Sequence, residues 1–179
     1  ELATRIADDL IDTLVELHDV DYESAELGQL GRPQGYVRRQ IEGWTKRYRH
    51  SETDSIPETD SVIRWLNDSM PTESEASLIH NDFKHDNVVL NPDDWSCVIA
   101  VLDWELCTLG DPLADFSYHL MNWVMPPGDS SRGSIMAIDD LAAWGIPSMD
   151  EYVDMYCKHT GRNGLPELDY YFAYNGFRL

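Results

Sequence analysis

The chain has 179 residues, 42% of them apolar, and a formal net charge of −20. Such a length and composition allow one globular domain with a proper core and exclude a disordered chain. The acidity excludes nucleic-acid binding by phosphate neutralisation, because the basic face it needs is missing, and no stretch approaches the ~20 consecutive apolar residues of a membrane span.

Three Lys stand against ten Arg, and Asp outnumbers Glu. The acidity therefore reads first as surface solvation of a salt-adapted kind, and second as a negatively lined cleft for cationic substrates or metal ions. Cys97, Cys107 and Cys157 are odd in number and form no C-x-x-C. They indicate neither a disulfide framework nor a zinc site, and a reducing, cytoplasmic setting is expected. The first ten residues form an amphipathic helical pattern rather than a signal peptide. The missing initiator Met points to a chain cut from something longer.

In chain order, Ile6, Leu10, Leu14 and Leu17 recur at helical spacing. Asp21 to Gly35 is a loop, with Gly28, Gly31 and Pro33. Tyr36, Val37, Ile41, Trp44 and Tyr48 mark a second helix with a basic face of Arg38, Arg39, Lys46, Arg47 and Arg49. Ser51 to Thr59 reads as polar linker. Val62, Ile63, Leu66 and Met70 predict a short third helix that stops before Pro71. After Ser77 the pattern changes to short apolar runs, Leu78-Ile79, Val88-Val89-Leu90 and Cys97 to Leu102, with a turn at Asn91 to Asp94. These predict a small β-hairpin. Asp111-Pro112 is a helix start, and its helix carries Leu113, Phe116, Leu120 and Val124 up to Met125-Pro126. Ile135 to Trp144, Asp150 to His159 and Glu167 onward predict further helices, the last continuing past Leu179. The aromatic residues of this half, Trp123, Trp144, Tyr152, Tyr156, Tyr170, Tyr171 and Tyr174, are expected in the core. Some of the last ones are candidates for an acceptor pocket.

Between the first two apolar runs lies a polar knot, His80-Asn81-Asp82-Phe83-Lys84-His85-Asp86-Asn87. Buried charges are costly unless paired or functional, so a structural loop rarely holds this many. Asp82 and Asn87 have the spacing that phosphoryl transfer to a hydroxyl needs on one loop. A carboxylate orients the hydroxyl and takes its proton, and a carboxamide oxygen holds magnesium. Asp103 ends the strand Ala100-Val101-Leu102, where its carboxylate would project into a cleft. Asn87 with Asp103 meets the oxygen-ligand preference of magnesium.

His80-x-Asp82-x-x-x-x-Asn87, followed after a hairpin by Leu102-Asp103-Trp104-Glu105, resembles the catalytic loop and metal-binding Asp of the protein-kinase-like fold. Asp103-Trp104-Glu105 in place of Asp-Phe-Gly, with no Ala-Pro-Glu, is similar to the aminoglycoside phosphotransferase and choline kinase family. Leu102-Asp103-Trp104-Glu105-x-x-x-x-Gly110-Asp111-Pro112-x-x-Asp115, with Leu30-Gly31-Arg32-Pro33 and Tyr36-Val37-Arg38-Arg39-Gln40, resembles the branch that includes kinase-like domains linked to acyl-CoA dehydrogenases. No glycine-rich phosphate loop and no Val-Ala-x-Lys precede His80. The resemblance therefore implies only a C-terminal, mainly helical α+β lobe, without the nucleotide lobe: a helical part over 1–75, a catalytic loop and metal-binding hairpin over 76–110, and a second helical part over 111–179.

The resemblance implies transfer of the ATP γ-phosphoryl group to a hydroxyl of a small molecule, with magnesium. The acceptor is an aminoglycoside, a choline-like alcohol or a hydroxyacyl-CoA, with the local motif leaning to the last. Asp82 is the implied base, and Lys84 neutralises the transferring group. His80 belongs to the catalytic set, more as an ordering hydrogen-bond donor than as acid or base. Asn87 and Asp103 are the metal ligands, and Glu105 is either a further metal contact or a hydrogen-bond partner. Asp111 is expected as a helix cap and Asp115 as a partner of the loop backbone or His80. Asn81 stands where the family usually has Gly, which matters little if its φ is negative. Two other readings remain: a binding-only remnant without the nucleotide lobe, and a metal-dependent hydrolase built on His80, Asp82, His85 and Asp86, with His119 and His159 as the remaining His. The chain alone is expected to be inactive and to self-associate.

Overall fold

The computed structural model describes residues 1–72, 76–125 and 141–178. Helix α1 spans Leu2–His18, and its apolar stripe of Leu10, Ile11, Leu14 and Val15 is buried, as the 3.6-residue period requires. It lies against strands β1 (Ser77–Ile79) and β3 (Asp94–Val101) and helix α6 (Met149–Thr160). Residues 21–35 are loop. Helices α2 (Tyr36–Ser51) and α3 (Pro57–Asp68) follow. The expected polar linker from Ser51 to Thr59 is thus cut to residues 52–56. Pro57 starts α3 because its fixed φ suits a first helical turn, and Glu58 and Asp60 favour the positive end of the helix dipole there.

The expected hairpin is present, and a second antiparallel pair of strands accompanies it. β2 (Val88–Asn91) pairs with β3, and β1 pairs with β4 (Thr108–Gly110). Three-residue strands are too short to show a period, so β4 has no signal of its own. In the β2–β3 hairpin Val89 faces Ala100 but Leu90 faces Val98, so Ile99 is an extra, bulged residue.

Asp111 caps α4 (Pro112–His119), its carboxylate accepting from the Leu113 amide at 2.9 Å. The helix was expected to run to Val124. Instead it stops at Leu120, and a separate turn, α5, spans Met121–Val124. No Pro or Gly marks the break. Leu120 has ψ −4°, well off the α-helical value, and re-aims the following turn, in which Met121 and Trp123 are buried. Of the helix expected over 135–144, residues up to 140 lie outside the described residues. Ala142–Trp144 forms a 3-10 turn instead, and Trp144 is 74% exposed rather than in the core.

Helix α6 begins on a reciprocal capping box between Ser148 and Glu151 and ends on left-handed Gly161. Helix α7 spans Leu168–Arg178. The core centres on the stacked rings of Phe116 and Tyr156, 3.9 Å apart, with Tyr152, Tyr170, Tyr171 and Tyr174 buried around them. One apolar cluster draws on residues from before, within and after the hairpin region. The architecture is α+β and mainly helical.

Gly110 closes β4 directly beneath the site. A Cβ there would overlap Ile79 Cδ1 and lie 3.0 Å from the Tyr36 ring. Gly110→Ala should lower unfolding stability by about 1–3 kcal/mol, the usual cost of overpacking. Gly43→Ala, in the α2 interior with only the Arg47 guanidinium near its Cβ, should raise it by about 0.5–1 kcal/mol. Urea midpoints of the two variants check the pair, and equal midpoints would contradict the packing at Gly110.

Candidate active site

Strand β1 delivers the chain into the polar knot, and one buried carboxylate fixes its path. Asp115, with no exposed surface, sits in the first turn of α4. Its Oδ2 accepts the His80 amide and its Oδ1 the Asn81 amide, both at 2.7 Å. Oδ2 also lies 3.3 Å from His18 Nε2, while His18 Nδ1 lies 3.3 Å from the Tyr156 hydroxyl. Burial pushes Tyr156 above its ordinary range, so its hydroxyl keeps its proton. The Asp115 carboxylate can only accept, so His18 Nε2 carries a proton toward it.

The His80 ring is fully buried and committed to backbone at both nitrogens. Nε2 donates to the Leu102 carbonyl at 2.8 Å, and Nδ1 accepts the Asp82 amide at 3.3 Å. Asp82 itself is held by three donors. Lys84 Nζ reaches Oδ2 at 2.7 Å, the Tyr118 hydroxyl reaches Oδ1 at 2.8 Å, and Asn87 Nδ2 reaches Oδ2 at 3.0 Å. Burial alone would raise the Asp82 carboxyl, but these hydrogen bonds outweigh it and hold the group below the ordinary carboxylate range. Burial and the Asp82 carboxylate together push Tyr118 up to about 12, so it remains a donor at neutral pH.

Asn87 lies in a 3-10 turn, His85–Asn87, and also donates from Nδ2 to the Asp82 carbonyl at 2.8 Å. Both amide protons thus point at Asp82, and Oδ1 is left as an acceptor for something else. Its carbonyl accepts the Leu102 amide at 2.7 Å. Leu102 is therefore bonded on one side to Asn87 and on the other to His80, and the next residue is Asp103. The strand pairing brings Asp103 to the same hairpin end as Asn87 although it lies far along the chain. Asp103 is exposed and has a left-handed backbone, φ 64°. A carboxamide oxygen and an exposed carboxylate at one hairpin end are a donor set of the hard oxygen type magnesium takes alongside phosphate oxygens.

Glu105 lies in the 3-10 turn Trp104–Leu106. It lines a cleft of about 530 Å³ with Tyr36, Asn81, Tyr118, Arg47 and Arg178. Tyr118 and Arg178 are contributors that the sequence pattern did not indicate. Arg178, on α7, donates to Asn81 Oδ1 at 3.2 Å and lies over the Tyr118 ring. The condition under which Asn in place of Gly matters little, a negative φ, is not met at Asn81: its φ is 67°. Asn is the side chain that tolerates this region after Gly. Here Asn81 Oδ1 also accepts the Tyr36 hydroxyl at 2.8 Å and Nδ2 donates to the Leu106 carbonyl at 2.9 Å. A glycine could make none of these bonds.

His119 lies under the loop, its Nδ1 3.4 Å from the Phe83 carbonyl and its ring stacked 5.7 Å from His85. Burial, reinforced by His85, lowers it to about 4, so it is neutral at physiological pH. Among the described residues no three His, Cys, Asp or Glu side chains are grouped to hold a metal. The hydrolase reading on His80, Asp82, His85 and Asp86 therefore has no ligand set there. His159 is elsewhere, between Asp8 and Asp12. Among the described residues no helix is long and apolar enough to cross a membrane.

Comparison with known proteins follows the same line. The family model "Phosphotransferase enzyme family" matches residues 1–152. The chain is 38% identical over 167 residues to acyl-CoA dehydrogenase family member 10 of Mus musculus, covering 93% of this chain and 15% of that protein. It is 38% identical over 174 residues to family member 11 of Rattus norvegicus, covering 95% of this chain and 22% of that protein. A candidate aminoglycoside phosphotransferase of Ralstonia eutropha is 43% identical with a TM-score of 0.88, over 98% of this chain and 53% of that one. A macrolide 2'-phosphotransferase shares the fold at 19% identity and a TM-score of 0.68. The chain has the fold of the C-terminal lobe of kinase-like enzymes, and it belongs to the phosphotransferase enzyme family of aminoglycoside phosphotransferases and their relatives.

Proposed function

We propose that the complete protein transfers the γ-phosphoryl group of ATP to a hydroxyl of a small molecule, with Asp82 as base. The observation that carries this reading is the Asp82 cluster: one carboxylate, held ionised by Lys84, Tyr118 and Asn87, on a loop tied through Leu102 to Asp103. An ionised carboxylate accepts the hydroxyl proton as the acceptor oxygen attacks the γ-phosphorus and the bond to the bridging oxygen of ADP breaks. Lys84 is close enough to Asp82 to balance charge on the transferring group. Asn87 Oδ1 and Asp103 would hold magnesium, which spreads the negative charge of the phosphates. Glu105 either joins that set or bonds the acceptor from the cleft wall. His80, with both nitrogens on backbone, orders the loop.

Of the three acceptor classes, the hydroxyacyl-CoA is favoured by relatives at 38% identity that are named as acyl-CoA dehydrogenase family members. The setting is taken as cytoplasmic, the partner as a small hydroxyl compound, and nucleic acid is not a ligand. Trp95, Ile99, Leu102, Trp104 and Leu106 are exposed along and after the hairpin. Apolar runs of this kind seek another surface, so this chain alone should self-associate. Light scattering checks it: a mass that rises with concentration is expected, and a monomer throughout would refute it.

Asp82→Asn in the complete protein should reduce turnover roughly a hundredfold or more, with nucleotide affinity little changed. An ATP-turnover assay across candidate acceptors reads this, and unchanged turnover would remove Asp82 from the role.

Tyr118→Phe tests the electrostatics. The hydrogen bond from Tyr118 lowers the Asp82 carboxyl, so its loss must raise that group. The acidic limb of the kcat/KM profile should then move to higher pH. A limb that stays in place would mean that Asp82 does not govern it.

A further inference from the structure

We propose that Asp9, on α1, is a positioning residue for Asp103: it fixes the bulge in β3 that decides on which face of the strand Asp103 emerges. The inference rests on the phosphotransferase reading, in which Asp103 holds magnesium, and it adds a residue to which that reading gives no role. The direct observation is a single bond. The Asp9 carboxylate accepts the Val98 backbone amide through Oδ2 at 2.6 Å, across 89 residues of chain.

Val98 stands at the irregularity of the hairpin. Val89 faces Ala100 and Leu90 faces Val98, which leaves Ile99 without an opposite residue. Side chains of a regular strand alternate between faces, and a slip of one residue exchanges the faces of everything downstream. Here Val98 and Val101 both pack against the core, while Ile99 and Ala100 between them are both exposed. The alternation breaks at the bulge. In an unbroken strand that starts with Val98 inward, Val101 would turn outward and Leu102 inward, and Asp103 would change faces with them. Bulges beside active sites re-aim side chains in this way.

A bulge has a cost that something must offset. It disrupts the ladder, and a backbone amide left without a partner in a partly buried place is unfavourable. Asp9 supplies the acceptor, and its charge makes the bond a strong one. A second tie from α1 to β3, Arg5 to Asp94 at 3.3 Å, joins side chains 62% and 52% exposed, and such pairs contribute little. Asp9 is therefore the contact that sets the bulge. The far end of the same segment is held separately, because Leu102 donates its amide to the Asn87 carbonyl and accepts from His80. Release of the Asp9 end frees the bulge to migrate between these two anchors. The other end of α1 reaches the base side of the site, through His18 and Asp115. One helix thereby sets the spacing between the base and the carboxylate at the metal position.

The test uses the complete protein, with manganese as the metal probe and ADP as the nucleotide, so that no turnover is involved. Asp9→Ala removes the acceptor and puts a better helix former in α1. Amide hydrogen exchange across residues 98–103, measured without metal, should quicken about tenfold. The manganese dissociation constant, read by water-proton relaxation, should rise about 10–100-fold, as when a metal ligand loses its support. Asp9→Asn keeps an acceptor oxygen and should return both values close to the parent's. Asp12→Ala removes a neighbouring α1 carboxylate that meets His159 instead, and it should change neither. Should Asp9→Ala fail to fold, Asp9→Glu, which displaces the acceptor by one methylene, carries the same expectation. Unchanged exchange in Asp9→Ala overturns the inference, as does unchanged manganese affinity where Asp103→Asn weakens it. An equal loss in Asp12→Ala also overturns it, since the effect would then be one of net charge. The two readings fail separately: parental manganese affinity in Asp103→Asn would remove the metal role of Asp103, and the exchange measurement would still decide the role of Asp9.

Discussion

The Asp115 carboxylate carries the geometry of the site. It lies in the first turn of α4 with no exposure, and it binds two consecutive backbone amides where β1 ends. Hydrogen bonds to a charged acceptor contribute about 1.5–3 kcal/mol each, and a carboxylate stripped of its partners in such a place costs several kcal/mol. The chain between His80 and Asp82 therefore has little freedom. The His80 and Asn81 amides must point at α4, which fixes where the Asp82 side chain emerges. His18 and Tyr156 continue the network into α1 and α6. The helical core and the catalytic loop are thus one structure: any shift of α4 on α1 or α6 is transmitted to Asp82 through two bonds of 2.7 Å.

A second level of support explains why Asp82 is ionised although partly buried. Three donors of different chemistry converge on it. Lys84 brings charge, Asn87 an amide and Tyr118 a phenol. Each donor is itself placed by a different element: the loop, the 3-10 turn before β2, and α4. Losing one leaves two, so the carboxylate's position is over-determined. Under the proposed role as base, such redundancy would keep the same lone pair on offer, because catalysis by positioning fails when a group drifts by a fraction of an ångström.

Much of this was legible in the sequence because the chemistry is local there. His80, Asp82, Lys84 and Asn87 lie within eight residues, and Asp103 follows a strand whose partner, Val88 onward, is equally close. The Asp111-Pro112 cap and the Asp115 anchor were legible for the same reason. Tyr118 and Arg178 were not. Tyr118 sits at an ordinary position on α4, and Arg178 lies near the end of α7, 97 residues from Asn81. Their role arises only when helices pack, and no spacing encodes it. The β1–β4 pairing and the break at Leu120 escaped for a related reason. Strands of three residues have no period, and the off-helix ψ of Leu120 re-aims the chain with no Pro or Gly to mark it.

The backbone itself shows where the fold accepts strain for the sake of the site. Among the described residues three other than glycine have positive φ, Glu26, Asn81 and Asp103. Glu26 lies in a loop and does not line the cleft, but the other two flank the Asp82 cluster. Left-handed backbone costs a non-glycine residue about 1–2 kcal/mol, and such residues persist when their surroundings over-determine them. At Asn81 the compensation is visible: its amide is held by Asp115, and its side chain accepts from Tyr36 and Arg178 and donates to Leu106. The side chain that makes the strained turn tolerable also ties the loop to α2, to α7 and to the 3-10 turn after Asp103. Those same three elements wall the cleft. A glycine here would satisfy the backbone with less strain but would give up the side-chain bonds to Tyr36 and Leu106. In this chain the residue that bends the loop is also one whose side chain ties that loop to the cleft wall.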